Sequence, residues 1–249
     1  MIRGLYTAVS GMVSAMRRME VATNNLANVQ TPGYKQDRTA SASFGEQLQF
    51  EIGRTLETRG PLALATVPLG PQLDLSQGPL QATGRALDVA LQGPGFLVLD
   101  TPNGPRYTRD GSLTVAADGT LTTSTGGVVL GENGPLVLPP GDVLAIDPDG
   151  TLRVDDAVVG RLQLVEFDPA QPFERVGNNE LVPRGGAAPQ PASTTTVLQG
   201  YIEQSNVDLT GLLTNTLALQ RAYTANQRAV QQQDELMARA ATEIARPPS

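Results

Sequence analysis

An α+β fold is predicted, with a long helix at each end of the chain and an antiparallel β-rich domain inserted between them. Three observations predict it. Both chain ends carry apolar residues at heptad spacing, the middle alternates short apolar runs with turn dipeptides, and Pro and Gly punctuate the joins. The two helices are expected to pack together as a coiled coil.

Residues 1–35 read as the first helix and its exit turn. Leu5, Val9, Met12, Met16, Met19 and Leu26 follow at spacings of four, three, four, three and seven, and Thr23 alone breaks the alternation. So narrow a strip suits helix-to-helix packing better than the wider face of a helix lying on a globular core. Pro32 disfavours helix at Thr31 and Gly33 permits a positive φ, so the helix should stop between Asn28 and Thr31. Residues 36–77 show no sustained period and read as an extended connecting segment.

Residues 78–182 read as the antiparallel β domain. Asp110-Gly111, Asp118-Gly119, Asn133-Gly134 and Asp149-Gly150 are dipeptides that tolerate the positive φ of tight hairpins. Between such signals Leu87, Val89 and Leu91 alternate, and Phe96 to Leu99, Val128 to Leu130 and Leu162 to Val165 supply apolar runs. A return linker follows over 183–203, its first part rich in Gly, Ala, Pro and Thr.

Residues 204–249 hold the second helix, with Asp208 as N-cap and an end near Arg246 imposed by Pro247 and Pro248. Leu209, Thr216, Tyr223, Val230, Met237 and Ile244 recur every seven residues; Leu213 and Leu217 join early, and Gln220, Gln227 and Asp234 continue the companion position. Polar residues in a seam weaken a coiled coil while restricting its registers and partners.

Composition narrows the function. Of 249 residues, 40% are hydrophobic and only 4% aromatic, without Trp, so large core anchors are scarce and burial against partners becomes attractive. A net charge of −7 with no Lys/Arg run argues against nucleic acid, which needs clustered cations. No apolar stretch is long enough to span a bilayer. Near the N-terminus Ser10, Gly11 and Ser14 dilute the apolar run and Arg17 and Arg18 lie behind it, the reverse of a cleaved export signal.

Catalysis is the weaker reading. With no His and no Cys, the commonest general base, the commonest metal ligand and thiolate chemistry are missing. The sole lysine, Lys35, lies in Gly33-Tyr34-Lys35-Gln36, which is not a phosphate loop. Asp147, Asp149 and Gly150 fail as a calcium loop because Ala145 falls where a carboxylate is required. A glycosidase carboxylate pair would leave no sequence spacing to read, but most acidic residues here flank Gly or Pro in turns, where backbone geometry accounts for them. Gly93-Pro94-Gly95 lacks the third glycine of a dinucleotide loop. No catalytic residue, cofactor or metal site is assigned, and no small-molecule substrate is expected.

The segment Asn24-Asn25-Leu26-Ala27-Asn28-Val29-Gln30-Thr31-Pro32-Gly33-Tyr34-Lys35 closely resembles the N-terminal signature of the flagellar rod, hook and axial protein family. Gly4-Leu5-Tyr6-Thr7-Ala8, Leu87-Asp88-Val89-Ala90, Gly95-Phe96 and Tyr107-Thr108-Arg109-Asp110-Gly111 extend the likeness. Gly200-Tyr201-Ile202-Glu203-Gln204-Ser205-Asn206-Val207 and Gln220-Arg221-Ala222-Tyr223 are similar to the family's closing signature. Thr23 departs from the small residue expected there.

The resemblance implies a basal-body rod subunit, exported by the flagellar type III apparatus without a cleaved signal and polymerised into the periplasmic rod with copies of itself and other rod and hook axial proteins. Gly131 to Pro139 and the short chain look more like a proximal than a distal rod subunit. On this reading Leu5, Val9, Met12, Met16, Met19, Leu26, Leu209, Leu213, Tyr223, Val230, Met237 and Ile244 are assembly residues, while Asn24, Asn25, Asn28 and Gly33 shape the helix exit and belong, with Thr31 and Tyr34, to the family signature. Two alternatives stand beside it: a distal rod or hook-type axial subunit, and a secreted adhesive or carbohydrate-active β domain with oligomerising helices.

Overall fold

A computed structural model describes residues 2–39, 41–43, 66–68, 72–141 and 143–244. The chain divides into two compact units: Met1–Leu26, Asp37–Gln72 and Asp208–Ser249 form the first, and Ala27–Gln36 with Leu73–Val207 form the second. The expected composition, two terminal helices and a large antiparallel β domain, is what the structure contains.

In the first unit, α1 spans Ile2–Ala27 and α2 spans Leu209–Ile244. The Asp208 carboxylate accepts from the Thr210 amide at 3.1 Å and the Asp208 carbonyl accepts from the Leu212 amide at 2.9 Å, so this residue caps α2 as its sequence position predicts. The helices meet where Asn226 lies against Gly11: a Cβ on Gly11 would sit 2.8 Å from the Asn226 Nδ2. Around that contact the protected positions of α2 are Leu212, Thr216, Leu219, Tyr223, Asn226, Val230 and Gln233, a four-three repeat.

Among the described residues of α1 the buried apolar positions are Ala8, Ala15 and Ala22. This differs from the expected line of contact on α1, whereas on α2 the expected seam positions Thr216, Tyr223 and Val230 lie within the protected repeat. Val9, Met16 and Leu26 are exposed by 43%, 49% and 38%, Met12 and Met19 are half-buried, and Leu213 is exposed by 47%. Small side chains allow a closer approach of helix axes, and interaxial distance depends on the side chains at the contact. The alanine stripe therefore turns inward, leaving Val9, Met16 and Leu26 outside and Met12 and Met19 at the edge of the contact. Residues 41–43 and 66–68 pair antiparallel in the segment between the helices. Most of the remaining segment read as extended, 44–65 and 69–71, lies outside the described residues.

The second unit is built on a ten-stranded antiparallel sheet. Its main path runs through strands 173–175, 181–183, 106–108, 96–100, 128–131, 121–123 and 113–115. A three-stranded meander, 144–146, 151–154 and 157–161, and the pairs 196–199 with 89–92 and 201–203 with 80–82 complete it. One apolar cluster joins Val89, Leu91, Leu97, Leu99, Leu113 and Leu121 with neighbours from other strands. A second gathers scarce aromatic residues: the Phe96 and Phe173 centroids lie 5.4 Å apart, and Tyr107 meets Phe167 edge-on at 4.8 Å.

Three of the four expected turns occupy hairpins, with Gly119, Gly134 and Gly150 at positive φ. Asp110-Gly111 does not. Gly111 has ordinary φ and is small for a different reason: its carbonyl accepts from the Val89 amide at 2.9 Å, and a Cβ would overlap the Val89 carbonyl oxygen. Conversely, Asp155-Asp156 and Asn178-Asn179 make turns with both residues at positive φ, a conformation Asp and Asn tolerate without glycine. Inside the segment read as a return linker, residues 196–199 and 201–203 are strands that bury Val197 and Glu203.

Candidate functional site

The exit turn read from sequence is the start of the second unit, and its geometry follows from Pro32 and Gly33. The Thr31 amide donates to the Asn28 carbonyl at 3.1 Å and the Tyr34 amide donates to the Thr31 carbonyl at 3.3 Å. Gly33 adopts φ +65°, and a Cβ there would overlap the Arg109 carbonyl, so only glycine fits both the turn and the contact. This turn ends at Lys35, which is 1% exposed.

Lys35, Glu203 and Arg109 form a buried charge cluster. Lys35 Nζ donates to Glu203 Oε1 at 2.6 Å and to the Ser76 carbonyl at 2.7 Å. Glu203 Oε1 also accepts from the Gly78 amide at 2.8 Å, while Oε2 accepts from Arg109 Nη1 at 3.3 Å. Arg109 Nη2 donates to the Gly93 carbonyl at 2.6 Å, and its guanidinium carbon stands 4.9 Å from the Phe96 ring centroid. Glu203 is fully buried and Arg109 is 2% exposed. Burial pulls the Lys35 ammonium below its ordinary pKa, and the adjacent Glu203 carboxylate opposes that shift. Burial likewise lowers Arg109, again opposed by Glu203.

The main chain joins the same place. The Gly33 amide donates to the Glu203 carbonyl at 2.7 Å, and the Asn206 amide donates to the Tyr34 carbonyl at 3.4 Å. Asn206 Oδ1 accepts from the Gln36 amide at 2.7 Å, and its Nδ2 donates to the Asp74 carbonyl at 2.9 Å. Arg175 stacks over the Tyr34 ring at 4.1 Å, donates to the Tyr34 hydroxyl at 2.9 Å and bonds the Lys35 carbonyl. Asn179, from a turn between strands, donates to the Pro32 carbonyl at 2.9 Å.

The signature residues at and after the helix exit divide by role. Gly33 and Tyr34 are buried in the turn, and Asn28 and Thr31 bond each other through their side chains at 3.2 Å. Asn25, only 2% exposed, belongs to the first unit: its amide donates to the Asp37 carbonyl at 2.8 Å and accepts from the Asp37 amide at 2.9 Å. Asn24 is exposed. Of the expected assembly residues, Val9, Met16, Leu26, Leu209 and Leu213 are exposed, and Met12, Met19, Tyr223 and Val230 are half-buried. Leu5, Met237 and Ile244 lie on the helices, with side chains outside the described set.

Sequence reading noted Lys35 only to exclude a phosphate loop and did not single out Arg109 or Glu203, although all three stood inside the quoted signatures. The available signal was the uniqueness of Lys35 in an otherwise arginine-only set of cations. Among the described residues no group of three or more Asp or Glu side chains could hold a metal ion, and no helix is long and apolar enough to cross a membrane.

Three family descriptions match the chain: "Flagella basal body rod protein" over residues 5–35, "Flagellar hook protein FlgE/F/G D1 domain" over 90–154 and "Flagellar basal body rod FlgEFG protein C-terminal" over 198–243. Among curated proteins the chain is similar to the flagellar basal-body rod protein FlgG of Buchnera aphidicola subsp. Schizaphis graminum, at 31% identity over 95% of this chain and 98% of that one. FlgG of Bacillus subtilis is 32% identical over 95% of this chain and 97% of its own. FlgF of Caulobacter vibrioides is 30% identical over 90% of each.

Proposed function

Because the chain belongs to the flagellar basal-body rod protein family, we propose that it is a structural, non-catalytic subunit of the basal-body rod that polymerises through its terminal helices. Its partners are further copies and other rod and hook axial proteins. It reaches the periplasm through the flagellar export apparatus without a cleaved signal, and the polymer carries torque as a drive shaft.

The observation that supports polymerisation is the apolar side chain left on the outer faces of the helices. Val9, Val13 and Met16 are exposed by 43%, 44% and 49%. At about 100° per residue they project from the side of α1 opposite the face that includes Ala15 and Asn25. Leu209, Leu213 and Leu217, exposed by 43%, 47% and 57%, form a second strip on α2, roughly 100° from its protected seam. Two strips of this kind give a helix pair that can form coiled-coil contacts with neighbouring subunits after its internal contact is made.

The test is a strain carrying this chain as its sole copy with Met16→Asp and Leu213→Asp combined. Both side chains are exposed, so the purified subunit should keep its fold while swimming and rod assembly are lost. Normal swimming with complete basal bodies would refute assembly through these faces.

A further inference from the structure

The three segments matched to separate family descriptions each contribute one member of the buried charge cluster: Lys35 from the first, Arg109 from the second and Glu203 from the third. Lys35 lies eight residues after the end of α1, and Glu203 lies six residues before the start of α2. The two connections to the helices therefore close on one carboxylate, which also holds the strand Leu80–Ala82 side of the unit through the Gly78 amide.

We propose that Lys35, Arg109 and Glu203 are positioning residues for assembly: a charge clasp within the β unit that holds together the segment following α1 and the segment preceding α2. The inference rests on the rod-subunit reading. It adds that helix contacts alone do not suffice, because helices released from a common anchor present their outer faces without a fixed register.

The chemistry selects the anchor. An apolar contact would fix which face is buried but not which groups must meet, since burial is non-directional. A carboxylate that accepts from Lys35, Arg109 and the Gly78 amide has three directional bonds to satisfy in a buried place, and a shift of either chain end leaves charge unpaired. Asn206 repeats the logic three residues later by bonding both the Gln36 amide and the Asp74 carbonyl.

Lys35, the only lysine in the chain, makes the clasp directly readable. In the purified full chain, an amine-acylating reagent followed by peptide mass spectrometry should modify the N-terminal amine quickly and Lys35 at least tenfold more slowly. Glu203→Gln should raise Lys35 labelling at least tenfold while the β-sheet circular dichroism persists, whereas Glu132→Gln, at an exposed ion pair, should leave it unchanged. Wild-type labelling of Lys35 as fast as the N-terminus, or an unchanged rate in Glu203→Gln, would overturn the clasp.

If Glu203→Gln does not fold, Lys35→Met carries the test, because it leaves a neutral Arg109–Glu203 pair. As the sole copy in cells, a folded Lys35→Met chain should fail to support swimming; full swimming would reduce the cluster to a stabilising role. The labelling measurement needs no polymer, so a failure of the clasp is distinguishable from a failure of the rod reading, which the Met16→Asp, Leu213→Asp strain addresses independently.

Discussion

Replacing Glu203 by Gln removes the carboxylate that two buried cations share, and the structure fixes how this should compare with replacing Lys35 by Met. In Glu203→Gln, Lys35 and Arg109 remain 1% and 2% exposed with their joint counter-charge gone. Removing one partner of a buried pair costs about 3–5 kcal/mol. In Lys35→Met the remaining pair is neutral. The orphaned acceptors keep other donors, Gly78 on Glu203 Oε1 at 2.8 Å and Asn206 Nδ2 on the Ser76 carbonyl at 3.1 Å. The loss should then be that of an ordinary hydrogen bond or two, about 1–2 kcal/mol. At about 2–4 °C per kcal/mol for a chain of this size, Glu203→Gln should melt roughly 6–20 °C below wild type and Lys35→Met within about 8 °C of it. Calorimetry at neutral pH, with urea unfolding as a second measure, provides the comparison. If Lys35→Met were destabilised as much as Glu203→Gln, charge balance would not be what organises the cluster.

Two further expectations use other parts of the β unit. Gly111→Ala should destabilise by several times more than Gly104→Ala, where φ is +99° and a Cβ meets open space; the latter should cost about 1–2 kcal/mol, and urea midpoints of the two variants will rank them. Glu166 accepts from the Thr194 amide and the Thr194 and Thr195 hydroxyls at 2.9, 3.0 and 2.8 Å; burial alone would raise its pKa, but these donors hold it below the ordinary value of 4.5. A depressed folded pKa adds stability that is present above 4.5 and lost as pH falls through the folded value, so the advantage of wild type over Glu166→Gln should be level at neutral pH and shrink in acid. An advantage that grew on acidification would contradict the assignment.

Much of the fold was legible because its signals are local. The cap at Asp208, the stop after Ala27, the positive φ at Gly33 and three of the four glycine hairpins depend on residues adjacent in sequence. What was misread depends on distant partners. Gly111 resembles a hairpin glycine until the Val89 carbonyl is placed against it. On α2 the seven-residue repeat did find protected positions, Thr216, Tyr223 and Val230, but α1 carries more than one strip and periodicity cannot state which meets the other helix; the contact of Gly11 with Asn226 and the buried alanines chose the small-residue face.

By itself, the sequence determined the kind of element at each chain end, the antiparallel character of the middle, the absence of His and Cys chemistry and the resemblance that points to the rod family, since composition, period and motif are properties of neighbouring residues. Only the tertiary structure decided that Lys35, Arg109 and Glu203 are one object. Lys35 and Glu203 stand 168 residues apart, and nothing in either local sequence encodes that a single buried carboxylate is shared by cations from both directions. Long-range electrostatic pairing is set by which surfaces burial brings together, and that is settled when the strands pack.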